Sequence, residues 1–167
     1  MRPVAAHEHA HAEAPSPPRG LNRLAFSATI HCLSGCATGE ILGMALGTAL
    51  GLANGATVAL SIALAFFFGY SFTSWPLLRS GMALGAVVPL ALASDTLSIA
   101  TMEVVDTLIV VAIPGAMDAG LDEALFWGSL ALALLIAGAA AYPVNRWLLK
   151  RGRGHALVHA HHRGHAH

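Results

Sequence analysis

Residues 31–51 read HCLSGCATGEILGMALGTALG. Glycine returns at every fourth position, at Gly35, Gly39, Gly43, Gly47 and Gly51, in a run that is otherwise largely apolar. A four-residue repeat keeps side chains on nearly one face of an α-helix. Glycine inside a helix is ordinarily destabilising, but small residues at this spacing let membrane helices bring their backbones close together. His31 heads the same row. The neighbouring row holds Cys32, Cys36, Glu40, Met44 and Thr48, again four apart. One helix therefore carries a packing row beside a row of sulfur and oxygen donors.

The rest of the chain agrees with a membrane setting. Of the 167 residues, 56% are hydrophobic and only 11% charged, against about 25% charged in ordinary soluble domains. A helical span needs roughly 20 apolar residues. Four segments qualify, at about residues 24–50, 56–75, 82–113 and 125–148. Turn signals separate them: GLANG (51–55), WPLLRSG (75–81) and IPGAMDAGLDE (113–123). Pro89 predicts an irregular start to the third helix, and Pro143 with Asn145 predicts the end of the fourth. The predicted fold is all-α, a polytopic bundle of four transmembrane helices over residues 21–150. A His- and Pro-rich arm (1–20) precedes it and a His-rich tail (151–167) follows. The arm has no apolar stretch of the kind a cleavable signal peptide contains, so the first span is expected to remain as an anchor.

Basic residues set the expected orientation. Arg19 and Arg23 precede the first span, Arg79 follows the second, and Arg146, Lys150, Arg151 and Arg153 follow the fourth. The first loop is uncharged and the third carries only Asp118, Asp122 and Glu123. The positive-inside rule then places both termini in the cytoplasm. Trp75, Trp127 and Trp147 fit interfacial belts. A formal net charge of zero gives no support for a nucleic-acid partner.

The third span, ALASDTLSIATMEVVDTLIV (91–110), has a chemical face of its own. At 3.6 residues per turn, Asp95, Met102 and Asp106 fall within about 40° of one another, and Glu103 lies about 80° from Asp95. Rise per residue predicts similar depths for Cys36 and Asp95, with Glu40 near Met102 and Glu103. Glu40, Asp95, Glu103 and Asp106 thus lie within spans whose interiors have no lysine or arginine. An ionised carboxylate at the bilayer centre costs about 2.5–3.5 kcal/mol even on the lenient insertion scale. Such acids must be protonated, line water or bind a cation.

Thiols and thioethers favour soft ions such as Cu(I); carboxylates favour harder ions, and imidazole takes Zn, Cu or Ni. The expected metal-ligating set is His31, Cys32, Cys36, Glu40, Asp95, Met102, Glu103 and Asp106. The bound species would be a transition-metal ion, copper first and zinc next. The cysteines are spaced C-x-x-x-C, unlike the C-x-x-C of dithiol redox sites. All the other histidines lie in the ends: His7, His9 and His11, then His155, His159, His161, His162, His165 and His167. Such tracts can hold metal ions loosely.

HCLSGCATGEILGMALGTALG, SDTLSIATMEVVD, IPGAMDAGLDEALFWGSLALAL and YPVNRWLLKRGRGHALVHAHH resemble the bacterial and archaeal membrane family described as domain of unknown function 4396. The resemblance runs over about residues 21–162. It implies a bacterial or archaeal inner-membrane location. Some members are fused to, or described as, copper oxidases, which implies copper handling. His31, Cys32, Cys36, Glu40, Asp95, Glu103 and Asp106 match its motifs.

The leading expectation is a membrane protein that binds and translocates a transition-metal cation. His31, Cys32 and Cys36 form the inner station, Glu40, Asp95 and Met102 continue it, and Glu103 with Asp106 makes the outer mouth. The glycine row suggests a homo-oligomer. Two other readings are a membrane oxidoreductase using the dithiol or a metal, and a non-catalytic assembly subunit, for which Gly39→Leu would matter more than Cys36→Ser. No Walker A motif supports ATP-driven transport by this chain alone.

Overall fold

The computed structural model describes residues 18–151. Most of the expected arm and tail, with the nine terminal histidines from His7 to His11 and from His155 to His167, lies outside the described residues. Within them the chain is all-helical: α1 (Pro18–Ala49), α2 (Asn54–Arg79), α3 (Leu84–Ala112), α4 (Ala124–Lys150) and a short 3-10 turn at Ala116–Asp118. By length and composition, α2, α3 and α4 can each cross a membrane. α1 is the longest at 32 residues, but its glycines, hydroxyls, His31 and Glu40 make it less apolar. The outer surface of the bundle is studded with large apolar side chains, among them Phe26, Phe67, Leu108 and Leu135. That surface suits lipid.

The glycine row packs against α2. A Cβ at Gly35 would come within 2.6 Å of Gly69 Cα, one at Gly39 would strike the backbone of Ala65, and ones at Gly43 and Gly47 would strike Ser61 and Thr57. The α2 side of this contact is its own row of small residues at the same spacing: Thr57, Ser61, Ala65, Gly69 and Thr73, all buried. The residue numbers rise on α1 as they fall on α2, so the helices are antiparallel. The fifth glycine has another task. Gly51 has φ 64° and nothing near its missing Cβ. It ends α1 in the left-handed conformation while Leu52 N donates to Gly47 O at 2.9 Å, the Schellman closure for which glycine is favoured. With the row engaged inside the chain, it no longer argues for a second copy.

α3 and α4 complete the bundle. Tyr70 on α2 donates its hydroxyl hydrogen to Thr96 Oγ1 on α3 at 2.8 Å, and Thr96 in turn donates to Leu92 O. Leu77 near the end of α2 packs with Val87 near the start of α3. Across the α1–α4 contact, Asn145 Nδ2 donates to Thr29 Oγ1 at 2.9 Å and Arg146 Nε to Asn22 Oδ1 at 2.9 Å. α1 is therefore antiparallel to α2 and α4, and parallel to α3.

The prolines do less than the sequence suggests. α3 runs from Leu84 through Pro89 without a break, and α4 continues past Pro143 to Lys150. Each proline removes one main-chain donor, a loss that membrane helices absorb through neighbouring helices and side chains. Asn145 is not a terminator but the buried tie from α4 to Thr29. The two ends of the bundle differ in charge. At one end Arg79 lies 4.9 Å over the Trp75 ring and Arg151 4.3 Å over that of Trp147. At the other stand Asp118, Asp122 and Glu123, and Trp127 Nε1 donates to Leu121 O at 2.9 Å.

Two glycine substitutions test this packing. Gly39→Ala drives a methyl into the α2 backbone and should cost on the order of 3 kcal/mol or more, whereas Gly128→Ala, with open space around it, should be neutral or stabilise by up to about 1 kcal/mol. Thermal unfolding in detergent, followed by circular dichroism, should show a large drop in midpoint for the first only.

Candidate functional site

The parallel pairing of α1 and α3 aligns their two chemical rows as a ladder. Cys36 Sγ lies 4.0 Å from Met102 Sδ, 66 positions further along the chain. One turn toward the basic end, Cys32 neighbours Ser98 and Asp95. One turn the other way, Glu40 neighbours Asp106 and Glu103. Cys36 also has Glu103 and Glu40 beside it. The same 66-residue offset thus joins Cys32 to Ser98, Cys36 to Met102 and Glu40 to Asp106.

This register differs from the sequence expectation by about two turns, since Cys36 meets Met102 where Asp95, seven positions earlier, was expected. Asp95 lies about a turn to the basic side of Ser98, near His31 and Cys32 and not level with Cys36, because α1 begins at Pro18, well before the apolar segment starts. Glu40 joins Glu103 and Asp106 instead of continuing the cysteine station. His31 borders Asp95 and turns its ring edge-on toward Phe72 of α2, with centroids 6.0 Å apart. The eight candidate ligands therefore sort into three levels: His31, Cys32 and Asp95; Cys36 and Met102; Glu40, Glu103 and Asp106. Apart from half-buried His31, every one is buried. Both cysteines are free.

The polar atoms are poorly satisfied. Ser94 Oγ donates to Asp95 Oδ1 at 2.8 Å. Both carboxylate oxygens of Glu40 lack a hydrogen-bond partner among the described residues, as do Asp95 Oδ2, Glu103 Oε1, Asp106 Oδ1 and His31 Nε2. Buried polar groups in folded proteins are nearly all paired, so such an accumulation marks a place where something else is met. No lysine or arginine can answer them, since the chain has neither between Arg23 and Arg79 nor between Arg79 and Arg146. As they stand, no three or more His, Cys, Asp and Glu side chains among the described residues form a group that could hold a metal ion.

The acidic level has room beside it. Glu40, Glu103 and Asp106 line a pocket of about 60 Å³ together with Ser61, Ser129 and Met44. A water needs about 10–15 Å³ measured this way, so a few waters or one ion with part of its shell fit. The sulfur level is filled: Cys36, Met102 and Ile99 are essentially inaccessible and form the centre of the hydrophobic core.

α2 supplies more than the sequence led us to expect. Thr73 joins Asp95, and Ser61 reaches the acid pocket. Both lie on the small-residue row of α2, whose four-residue repeat was as readable as the glycine row. Ser129 and Met117, which also line the pocket, are isolated residues with no pattern to announce them.

An all-helical, membrane-suited bundle with a seam of buried acids and sulfurs is the class this architecture defines. The chain belongs to the family described as domain of unknown function (DUF4396), whose model matches residues 22–154. No curated protein and no solved structure matches it.

Burial makes the thiols testable. Cys32 and Cys36 are 4% and 0% exposed, so a water-soluble maleimide should leave the folded protein unlabelled and modify both residues after denaturation. Mass spectrometry of the two samples provides the readout; rapid labelling of the folded protein would contradict the sealed sulfur level.

Proposed function

We propose that this chain is a four-span membrane protein that binds and translocates a transition-metal cation, copper before zinc, along the α1/α3 seam. The observation that carries the reading is the acid pocket: three buried carboxylates share one small space, and several of their oxygens have no hydrogen-bond partner and no lysine or arginine near them among the described residues. A cation offsets the cost of burying such charges, which is why intramembrane acids commonly mark ion paths. Sulfur from Cys36 and Met102 lies next along the seam, and sulfur inclines the preference toward copper. A passing ion is held by two or three donors at a time, as conduction requires binding weak enough to leave.

Support for α1 as the fourth span comes from its place. It packs lengthwise against α2 and also touches α4 and α3, and its outer face carries exposed Phe26, Ile30, Leu42 and Leu46. The charge asymmetry of the ends favours cytoplasmic termini, and the family resemblance favours the inner membrane of a bacterial or archaeal cell. A dithiol oxidoreductase gains less support, because the cysteines are spaced C-x-x-x-C and not C-x-x-C.

The direct test is elemental analysis of the purified full-length protein. Wild type should carry near-stoichiometric copper or zinc. Glu40→Gln and the Cys32→Ser/Cys36→Ser pair should each lose most of it. Equal, substoichiometric metal in all three would overturn the proposal.

A further inference from the structure

A second cavity adjoins the acid pocket and is not explained by the seam. It measures about 350 Å³ and lies at the acidic end of the bundle, lined by Thr48, Asn54, Thr57 and Asp118 among others. Three residues, Met44, Val58 and Met117, line both this vestibule and the acid pocket. Two thioethers and one aliphatic side chain therefore stand between the two spaces, at what we call the neck.

The neck is held in place. Asn54 Nδ2, at the start of α2, donates to Asp118 Oδ1 at 2.8 Å. That bond ties the 3-10 turn, of which Met117 is the middle residue, to the start of α2. Met44 is the next member of the Cys32–Cys36–Glu40 row and packs beside Phe126 and Leu130 of α4. Just beyond the neck stands Glu40, 6% exposed and with both oxygens unpartnered.

We propose that the vestibule and the acid pocket form one route, and that Met44 and Met117 at their junction select a soft monovalent cation, Cu(I) or its silver analogue. This rests on the cation reading of the acid pocket and narrows its substrate class. Thioether sulfur is neutral, polarizable and soft, so it gives Cu(I) and Ag(I) a favourable contact and gives Mg(II) or Zn(II) little in return for lost water. The donors along the route then run thioether, carboxylate, thiol and thioether: Met44 and Met117, then Glu40 with its two acidic neighbours, then Cys36 and Met102. A singly charged ion sheds its hydration more readily than a divalent one, and the carboxylates supply the negative charge that sulfur lacks. Asp118, Asp122 and Glu123 at the same end raise the local concentration of cations.

The test uses full-length protein reconstituted into liposomes, with silver ion or zinc ion supplied outside and the washed vesicles assayed for metal. Protein-free vesicles give the baseline. Leucine matches methionine closely in volume, so Met44→Leu/Met117→Leu removes sulfur with little change in packing. Met117→Leu alone serves if the double variant melts below wild type. Wild type should take up silver faster than zinc, and the double variant should lose about tenfold in initial silver rate with its zinc rate unchanged. Equal silver rates in wild type and a folded variant would overturn the selection by methionine. Faster zinc than silver in wild type would also overturn it, while leaving a cation path in place. Absence of flux for both ions would overturn the route, and the elemental analysis of Glu40→Gln then shows whether the acid pocket fails with it.

Discussion

Contact between two backbones, with no Cβ atoms on one side, sets the remaining distances in this bundle. Four glycines of α1 lie against the small-residue row of α2, and anything larger at Gly35 or Gly39 meets main chain that cannot move aside. Gly69 is touched from both directions, since a Cβ there would also meet Ile99 of α3. α2 therefore works as a thin spacer. By approaching so closely on one side it leaves α1 turned to present Cys32, Cys36 and Glu40 to α3 on the other. In a bilayer, where apolar surface gains nothing by leaving lipid, such steric fit is the main source of association.

The bundle mixes polar groups into an apolar interior. Large apolar side chains face outward, while acids, thiols and hydroxyls face inward. Some of the inner polarity is self-satisfied, as in the chain from Asn145 through Thr29 to Ala25 O. The seam is not. Its oxygens are left unmatched at the levels of Asp95 and of the acid pocket, separated by a dry sulfur level. An arrangement kept for stability alone would have paired these groups or replaced them with apolar ones.

Much of this was legible in the residues because periodicity speaks directly to helices. The four-residue repeats identified α1, its packing face and its chemical face, and the acids of α3 stood out against an apolar background. The glycines at 51 and 81 marked turns that do close with positive φ. Depth was harder to read. Counting rise from misplaced helix starts moved every donor by about two turns, and α1 begins among polar residues that hydropathy does not flag. Prolines misled because a helix surrounded by other helices survives the loss of one donor. The partner of the glycine row could not be read from α1 alone, although α2 carries a matching repeat. Met117 was invisible for a different reason: a turn residue shows no pattern until the fold brings it to a cavity.

The constant 66-residue offset between α1 and α3 has a consequence for how such a chain can change over generations. The ladder exists because both helices advance at the same pitch in the same direction. One residue inserted between Cys36 and Glu40, or between Ser98 and Asp106, would swing every later rung by about 100° and point its donors at lipid. Added length in the connection between α3 and α4 leaves the rungs where they are. Point substitutions are thus open to exploration almost anywhere on the outer surface, but the spacing within these two helices behaves as a reading frame written in geometry.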